Sequence, residues 1–125
     1  MGRFVRLMFL FAAFFSLSSF EATVEEILGA FRKGDAMKIS RHFDSLVEIT
    51  LRDKSNSYSR TQAEVVLKDF FTTNTVRSFT IIHRVNSNSG EYCVGTLNTQ
   101  LGEYRTTILF KNRGDRKLVQ ELRFE

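Results

Sequence analysis

FTIIHRV at Phe79–Val85, GEYCVGTLNT at Gly90–Thr99, GEYRTTILF at Gly102–Phe110 and KLVQELRF at Lys117–Phe124 decide how this chain folds. Each run is rich in β-branched and aromatic residues, and polar, glycine-containing turns separate them. Between Val76 and Phe124 the chain therefore reads as a meander of four strands. A sheet built this way has one face that must be covered, and the helical first half of the chain supplies the cover.

The turns set the register. Leu101-Gly102 offers glycine where a two-residue hairpin needs positive φ. With that pair as the turn, Thr99 lies opposite Tyr104, and Cys93, Gly95 and Leu97 share a face with Thr106, Ile108 and Phe110. Asn112-Arg113-Gly114 suits a three-residue loop with glycine at the left-handed position. Lys111 then faces Asp115, and Tyr104, Thr106, Ile108 and Phe110 share a face with Leu118, Gln120, Leu122 and Phe124. This is the covered face. The other face carries Tyr92, Val94, Arg105, Leu109, Val119, Glu121 and Arg123, with bulges free to shift the pattern in a curved sheet.

The first half reads as helices around one strand. In EATVEEILGAFR at Glu21–Arg32, Val24, Ile27, Leu28 and Phe31 fall on one helical stripe, with Glu25 and Glu26 in the early turns and Gly34 as the stop. Asp35 caps a second, short helix whose apolar residues are Met37, Ile39 and Phe43. A β-branched strand follows at Leu46–Leu51, then a polar turn at Asp53–Ser57 and a very short strand at Tyr58. The clearest helix spans Arg60–Thr73, capped by Ser59 or Thr61, with Ala63, Val66, Leu67, Phe70 and Phe71 on its apolar face.

Ahead of these elements, residues 1–20 have the layout of a secretory signal peptide. Arg3 and Arg6 precede the apolar run LMFLFAAFF, and the small-residue patch Ser16–Ser19 follows. The run is shorter than the roughly 20 apolar residues that span a bilayer. Export to the periplasm or the exterior, with no stable membrane span after cleavage, is the expectation. The rest, residues 21–125, makes one domain with a formal charge of +2. Its basic residues are scattered beside acids rather than gathered on one face, which argues against a nucleic-acid partner. One cysteine excludes an internal disulfide, so the core alone holds the domain.

The order helix, short helix, strand, helix and four-stranded meander resembles the nuclear transport factor 2-like fold, also grouped as cystatin-like. In that α+β fold a bent antiparallel sheet wraps N-terminal helices into a cone with an open end. More narrowly, GDAMKISRHFDSLVEITL at 34–51, TQAEVVLKDFF at 61–71, SFTIIH at 78–83, GTLNT at 95–99, GEYRTTILFK at 102–111 and QELRFE at 120–125 resemble a family of small exported bacterial domains known only as a domain of unknown function. The likeness covers nearly all of residues 24–125. Its motifs are turn glycines, core aromatics and strand endings, so they speak to fold. The wider fold includes isomerases, dehydratases, polyketide cyclases, transport adaptors and assembly domains, and does not choose among them.

Isomerases of this fold pair an inward tyrosine with inward carboxylic acids, and the meander offers Tyr104. Its acids are Glu91 and Glu103 at strand ends, Asp115 in a turn and Glu121 on the outer parity. No aspartate lies inside a meander strand, so the first-strand Glu48 is the remaining acid candidate, set against a solvent-facing position on an edge strand. His83, on the parity of Phe79 and Ile81, is either a general base or a sheet-end side chain bonded to a backbone carbonyl. Cys93 reads as a small buried hydrophobe. No metal-ligand spacing, glycine-rich phosphate loop or cofactor motif is present.

These features favour a non-enzymatic exported module that binds a small apolar ligand or a protein, over an isomerase- or dehydratase-type enzyme using Tyr104, His83 and Glu48. A ligand in the cone would meet Phe70, Thr106 and Gln120. A partner on the outer face would meet Val94, Leu109 and Val119, an apolar centre with a charged rim, and a homodimer is the simplest such partner.

Overall fold

The computed structural model describes residues 19–125, with side chains from Thr23 onward. Helix α1 (Ser19–Lys33) is followed by α2 (Ala36–Ser40), β1 (Phe43–Leu51), β2 (Lys54–Ser59), α3 (Arg60–Thr73), β3 (Val76–Asn86), β4 (Gly90–Thr99), β5 (Gly102–Arg113) and β6 (Arg116–Phe124). The leader expected over residues 1–20 lies outside the described residues, apart from Ser19 and Phe20 at the start of α1. Among the described residues no helix is long and apolar enough to cross a membrane.

The helix ends follow their capping residues. Gly34 takes φ +64° and donates its N–H to Phe31 O, while Asp35 N reaches Ala30 O, the paired bonds of a Schellman stop. The Asp35 carboxylate then accepts from Lys38 N and starts α2. Ser59 accepts from Gln62 N and starts α3. Met37 is 59% exposed, so α2 holds the core through Ala36 and Ile39 instead. Phe43 is buried, but as the first residue of β1 rather than as part of the short helix.

One six-stranded sheet runs in the order β2-β1-β6-β5-β4-β3. It is mixed: β1 lies parallel to β6, and every other pair is antiparallel. The polar stretch KSNSYS, expected as a turn with a short strand at its end, forms edge strand β2 along its whole length. Backbone pairing with β1 accounts for this, since its side chains stay exposed apart from a half-buried Tyr58.

Two hairpins, together with bulges at Gln120 and Ile82, help fix which side chains of the meander face inward. Thr99 pairs with Gly102 and Leu97 with Tyr104, so the β4–β5 loop is Gln100-Leu101. The register is slipped by two residues from the expected one, and an even slip leaves every face assignment intact. The β5–β6 loop is Gly114-Asp115, with Arg113 opposite Arg116 and Gly114 at φ +64°. That is an odd slip, and it turns Lys117 and Val119 inward where Leu118 and Gln120 were expected. A bulge at Gln120, between the pairs Phe110–Val119 and Leu109–Glu121, then restores Leu122 and Phe124 to the core. A further bulge at Ile82 separates Ile81–Gly95 from His83–Val94, putting His83 outside and Arg84 inside.

The helices cover only the inner face: α1 packs on β3 and β6, and α3 on β1 and β2. Between them lies an aromatic cluster. Phe70 stands 4.3 Å from Phe124 and 5.1 Å from Tyr104, and Phe31 stands 5.3 Å from Phe79 and 6.1 Å from Phe71, all ring centroid to centroid. Burying each ring contributes about 1.5–3 kcal/mol.

Candidate functional site

At one end of the inner face, where β3 finishes and β4 begins, the core turns ionic. Glu91 is 4% exposed. Its Oε1 accepts from Arg84 Nε at 2.9 Å and Nη2 at 2.7 Å, and its Oε2 accepts from Lys117 Nζ at 3.2 Å. Lys117 is itself buried. Arg84 Nη1 also reaches Glu25 on α1 at 3.2 Å, so the cluster ties helix, edge strand and last strand together.

Cys93 sits two residues further along β4, opposite Arg84. Burial, reinforced by the nearby Glu91 charge, pushes its thiol up to about 11 against the opposing pull of Arg84 and Lys117. A thiol held there is a poor nucleophile. Asn112, the cross-strand partner of Lys117, donates to Asn88 O, while its buried Oδ1 has no hydrogen-bond partner among the described residues. Nearby, Asp44 accepts from Arg113 at 3.1 and 3.2 Å and from Ser45 N at 2.7 Å. Burial opposes ionisation of Asp44, but these bonds outweigh it and hold the carboxyl below the usual aspartate value.

At the opposite end of the sheet, the buried Tyr104 hydroxyl donates to Asn74 Oδ1 at 2.9 Å, and Asn74 Nδ2 donates to Phe70 O. Arg52, in the left-handed region at φ 58°, lays its guanidinium 5.2 Å from the centre of the Tyr104 ring. The tyrosine is thus committed to closing this end.

The sequence candidates separate accordingly. Tyr104 is inside, whereas His83 and Glu48 are exposed on the outer face, opposite Val94 and Glu121. The three do not converge. Phe70 and Thr106 are buried, Phe70 against Phe124 and Thr106 donating to Tyr104 O, so both belong to the packed interior. Gln120 is on the outer side of the sheet because of the odd slip of the β5–β6 hairpin, which gives its inner place to Val119. Val119, expected outside, is fully buried against Phe110. Val94 keeps the outer parity but is only 3% exposed, and Leu109 keeps it half-buried. The ionic cluster went unread in the sequence, although one signal was there: stepping back by two from Leu97, Gly95 and Cys93 lands on Glu91.

The outer face is covered by no element of the domain among the described residues. Cross-strand pairing lines up Val85, Tyr92, Leu109 and Glu121 in one row, and His83, Val94, Thr107 and Arg123 in the next. Two shallow grooves of about 320 and 480 Å³ share Tyr92 and Leu109. Val85 and Gln120 border the first, and Arg105, Glu121, Arg123 and Glu125 the second. Leu46, 65% exposed, projects on the same side from β1.

Structural comparison defines the class first. A nuclear transport factor 2-like protein of unknown function from Cytophaga hutchinsonii superposes with a TM-score of 0.59 over 82% of this chain and 85% of its own, at 6% identity. The protein is therefore an α+β domain of the nuclear transport factor 2-like fold. Residues 24–125 match the family of domains of unknown function designated DUF4783, and the chain belongs to that family. Among its solved relatives, a DUF4783 protein from Bacteroides fragilis is 27% identical, with a TM-score of 0.76 over 79% of this chain and 93% of the other. One from Bacteroides uniformis is 23% identical, with a TM-score of 0.79 over 81% and 94%. No curated protein matches the chain.

Proposed function

We propose that this domain is a non-enzymatic protein-interaction module, exported to the periplasm or the exterior, whose contact surface is the outer face of the sheet. The observation that carries the reading is the row Val85–Tyr92–Leu109, an apolar strip with Val85 46% and Tyr92 37% exposed, bordered by Arg105, Glu121 and Arg123. An apolar centre inside a charged rim is the composition of contact surfaces. The inner face supports the same reading. Its rings pack on one another, and the buried Glu91 already accepts from three donors. A general base must instead reach a substrate proton.

Photocrosslinking in producing cells tests this. A benzophenone amino acid replacing Tyr92 is expected to yield a discrete adduct that is lost on adding Leu109→Glu, whereas the same group at the exposed helix position Asp69 yields none. Equal labelling from the two positions defeats the proposal. Export is tested separately by fractionation: a chain found in the cytoplasm with residues 1–20 intact removes that part.

A further inference from the structure

We propose that the free edge of β2 is a second docking site, which adds an extended segment of a partner polypeptide to the sheet as a further strand. It is independent of the outer face, since the sheet ends at β2 and the groove beside that edge lies between β2 and α3. Backbone direction supplies the first reason. Arg52 donates its N–H to Phe124 O on β6, so Leu51, one residue earlier, turns its own backbone groups toward β2. Alternation along the unbroken register Leu51–Lys54, Ile49–Asn56 and Val47–Tyr58 then points the N–H and C=O of Lys54, Asn56 and Tyr58 into the β1 ladder. The same groups of Ser55 and Ser57 point away from β1, and no strand pairs with that edge among the described residues. Such an edge is a template for another chain. The opposite edge, β3, carries the defences that discourage pairing: register shifts at Arg77 and Ile82 and an inward-pointing Arg84. Strand β2 has no bulge, no proline and no charge beyond Lys54 at its start.

Side chains supply the second reason. Val47 and Ile49 are core residues, so their partners Tyr58 and Asn56 also face the helical side. Beside them α3 presents Thr61, Gln62, Val65 and Val66 at helical spacing, and these six residues line a groove of about 660 Å³. Val65 is 55% exposed, while Tyr58 and Val66 are half-buried against the core. No acid, lysine, arginine or histidine lines the groove, so it accepts uncharged side chains. A strand laid along Ser55 and Ser57 alternates its own side chains, and those beside Asn56 and Tyr58 enter the groove from positions two residues apart. The partner is therefore an extended segment with aliphatic or aromatic residues at two alternate positions. Backbone bonds hold it and the groove selects it. A helix has no free backbone groups to offer this edge, and a nucleic acid or an anionic lipid surface requires cations that the groove lacks.

The probe is a phage-displayed library of random linear peptides, selected on the folded protein and followed by synthesis of the recovered sequences. These are expected to share uncharged apolar residues two positions apart. N-methylation of alternate residues is expected to weaken binding at least tenfold on one parity and to be tolerated on the other. On the protein, Ser57→Pro removes an outward N–H while leaving the β1 ladder intact, and Val65→Lys places a charge in the groove. Each is expected to weaken binding at least tenfold, so either serves should the other fail to fold. Amide hydrogen exchange reads the edge directly. In the free protein Ser55 and Ser57 are expected to exchange faster than Asn56 and Tyr58, and to slow at least tenfold with peptide bound. A library that yields no peptide above a blank selection overturns the proposal. So does binding indifferent to both Ser57→Pro and Val65→Lys, or protection that falls on β4 and β5 instead of β2.

Discussion

Removing the Glu91 carboxylate is the most informative perturbation of the core. The pair it forms with Lys117 has side-chain exposures of 8% and 4%, so water screens it little. Glu91→Ala leaves the Lys117 ammonium buried without its carboxylate, while Arg84 keeps Glu25. Breaking one side of a buried ion pair costs about 3–5 kcal/mol. In a domain of this size each kcal/mol lowers Tm by roughly 4–8 °C, so the expected fall is on the order of 12 °C or more. Lys117→Met is milder, about 1–3 kcal/mol, because Glu91 retains both Arg84 bonds. Adding Lys117→Met to Glu91→Ala removes the stranded charge and is expected to recover part of the loss, a coupling of about 0.5–3 kcal/mol. Urea and thermal unfolding of the four proteins measure these terms. A Glu91→Ala variant within about 1 kcal/mol of wild type, or a double variant whose loss is simply the sum of the singles, refutes the cluster as a buried, interdependent unit.

Further outcomes follow from single positions. A Cβ at Gly90 would stand 2.0 Å from Phe110 O, so Gly90→Ala must displace backbone and is expected to cost more than about 3 kcal/mol by denaturant unfolding. Cys93 is expected to resist a thiol reagent at about pH 8 in the folded protein and to react fully in denaturant, since burial and Glu91 hold it protonated. Asp44 is held below its ordinary value, so folding favours its ionised form. Its contribution is present above the unfolded aspartate pKa of about 3.9 and is lost as pH falls through the folded value, and Asp44→Asn is expected to flatten that acid limb of the stability curve. Deleting Ile82 removes the extra residue of the β3 bulge and is expected to turn His83 inward. Diethylpyrocarbonate should then label His83 in the folded wild type and not in the folded deletion variant.

Much of the fold was legible because its signals are carried by side chains. The apolar stripe of α1, the cap and wide face of α3, and the alternation of Cys93, Gly95 and Leu97 against Thr106, Ile108 and Phe110 each state their own burial. What stayed hidden are backbone events of one residue. Gly114 satisfies a three-residue loop ending on it as well as the observed two-residue loop beginning on it, and the choice between them inverts Val119. Bulges at Ile82 and Gln120 carry no mark in residue type, yet they decide the positions of His83, Arg84, Leu122 and Phe124. Strand β2 was obscured for the opposite reason: its side chains are polar, and only pairing with β1 makes it a strand.

The bulge at Ile82 bears on function as well as on register. Without it, simple alternation from Phe79 and Ile81 carries His83 to the inner face and Arg84 to the outer. The buried end of the cone would then hold an imidazole close to Glu91, the pairing of base and carboxylate that proton-transfer sites use. One extra residue exchanges the two. The inner place goes to a guanidinium, which delivers two N–H groups to Glu91 and a third to α1, and the imidazole goes to the outer face opposite Val94. A guanidinium stays protonated throughout the physiological range, so it can clamp a carboxylate but not take up a proton. The same backbone irregularity therefore places a guanidinium clamp, rather than an imidazole, beside Glu91 at this corner of the sheet.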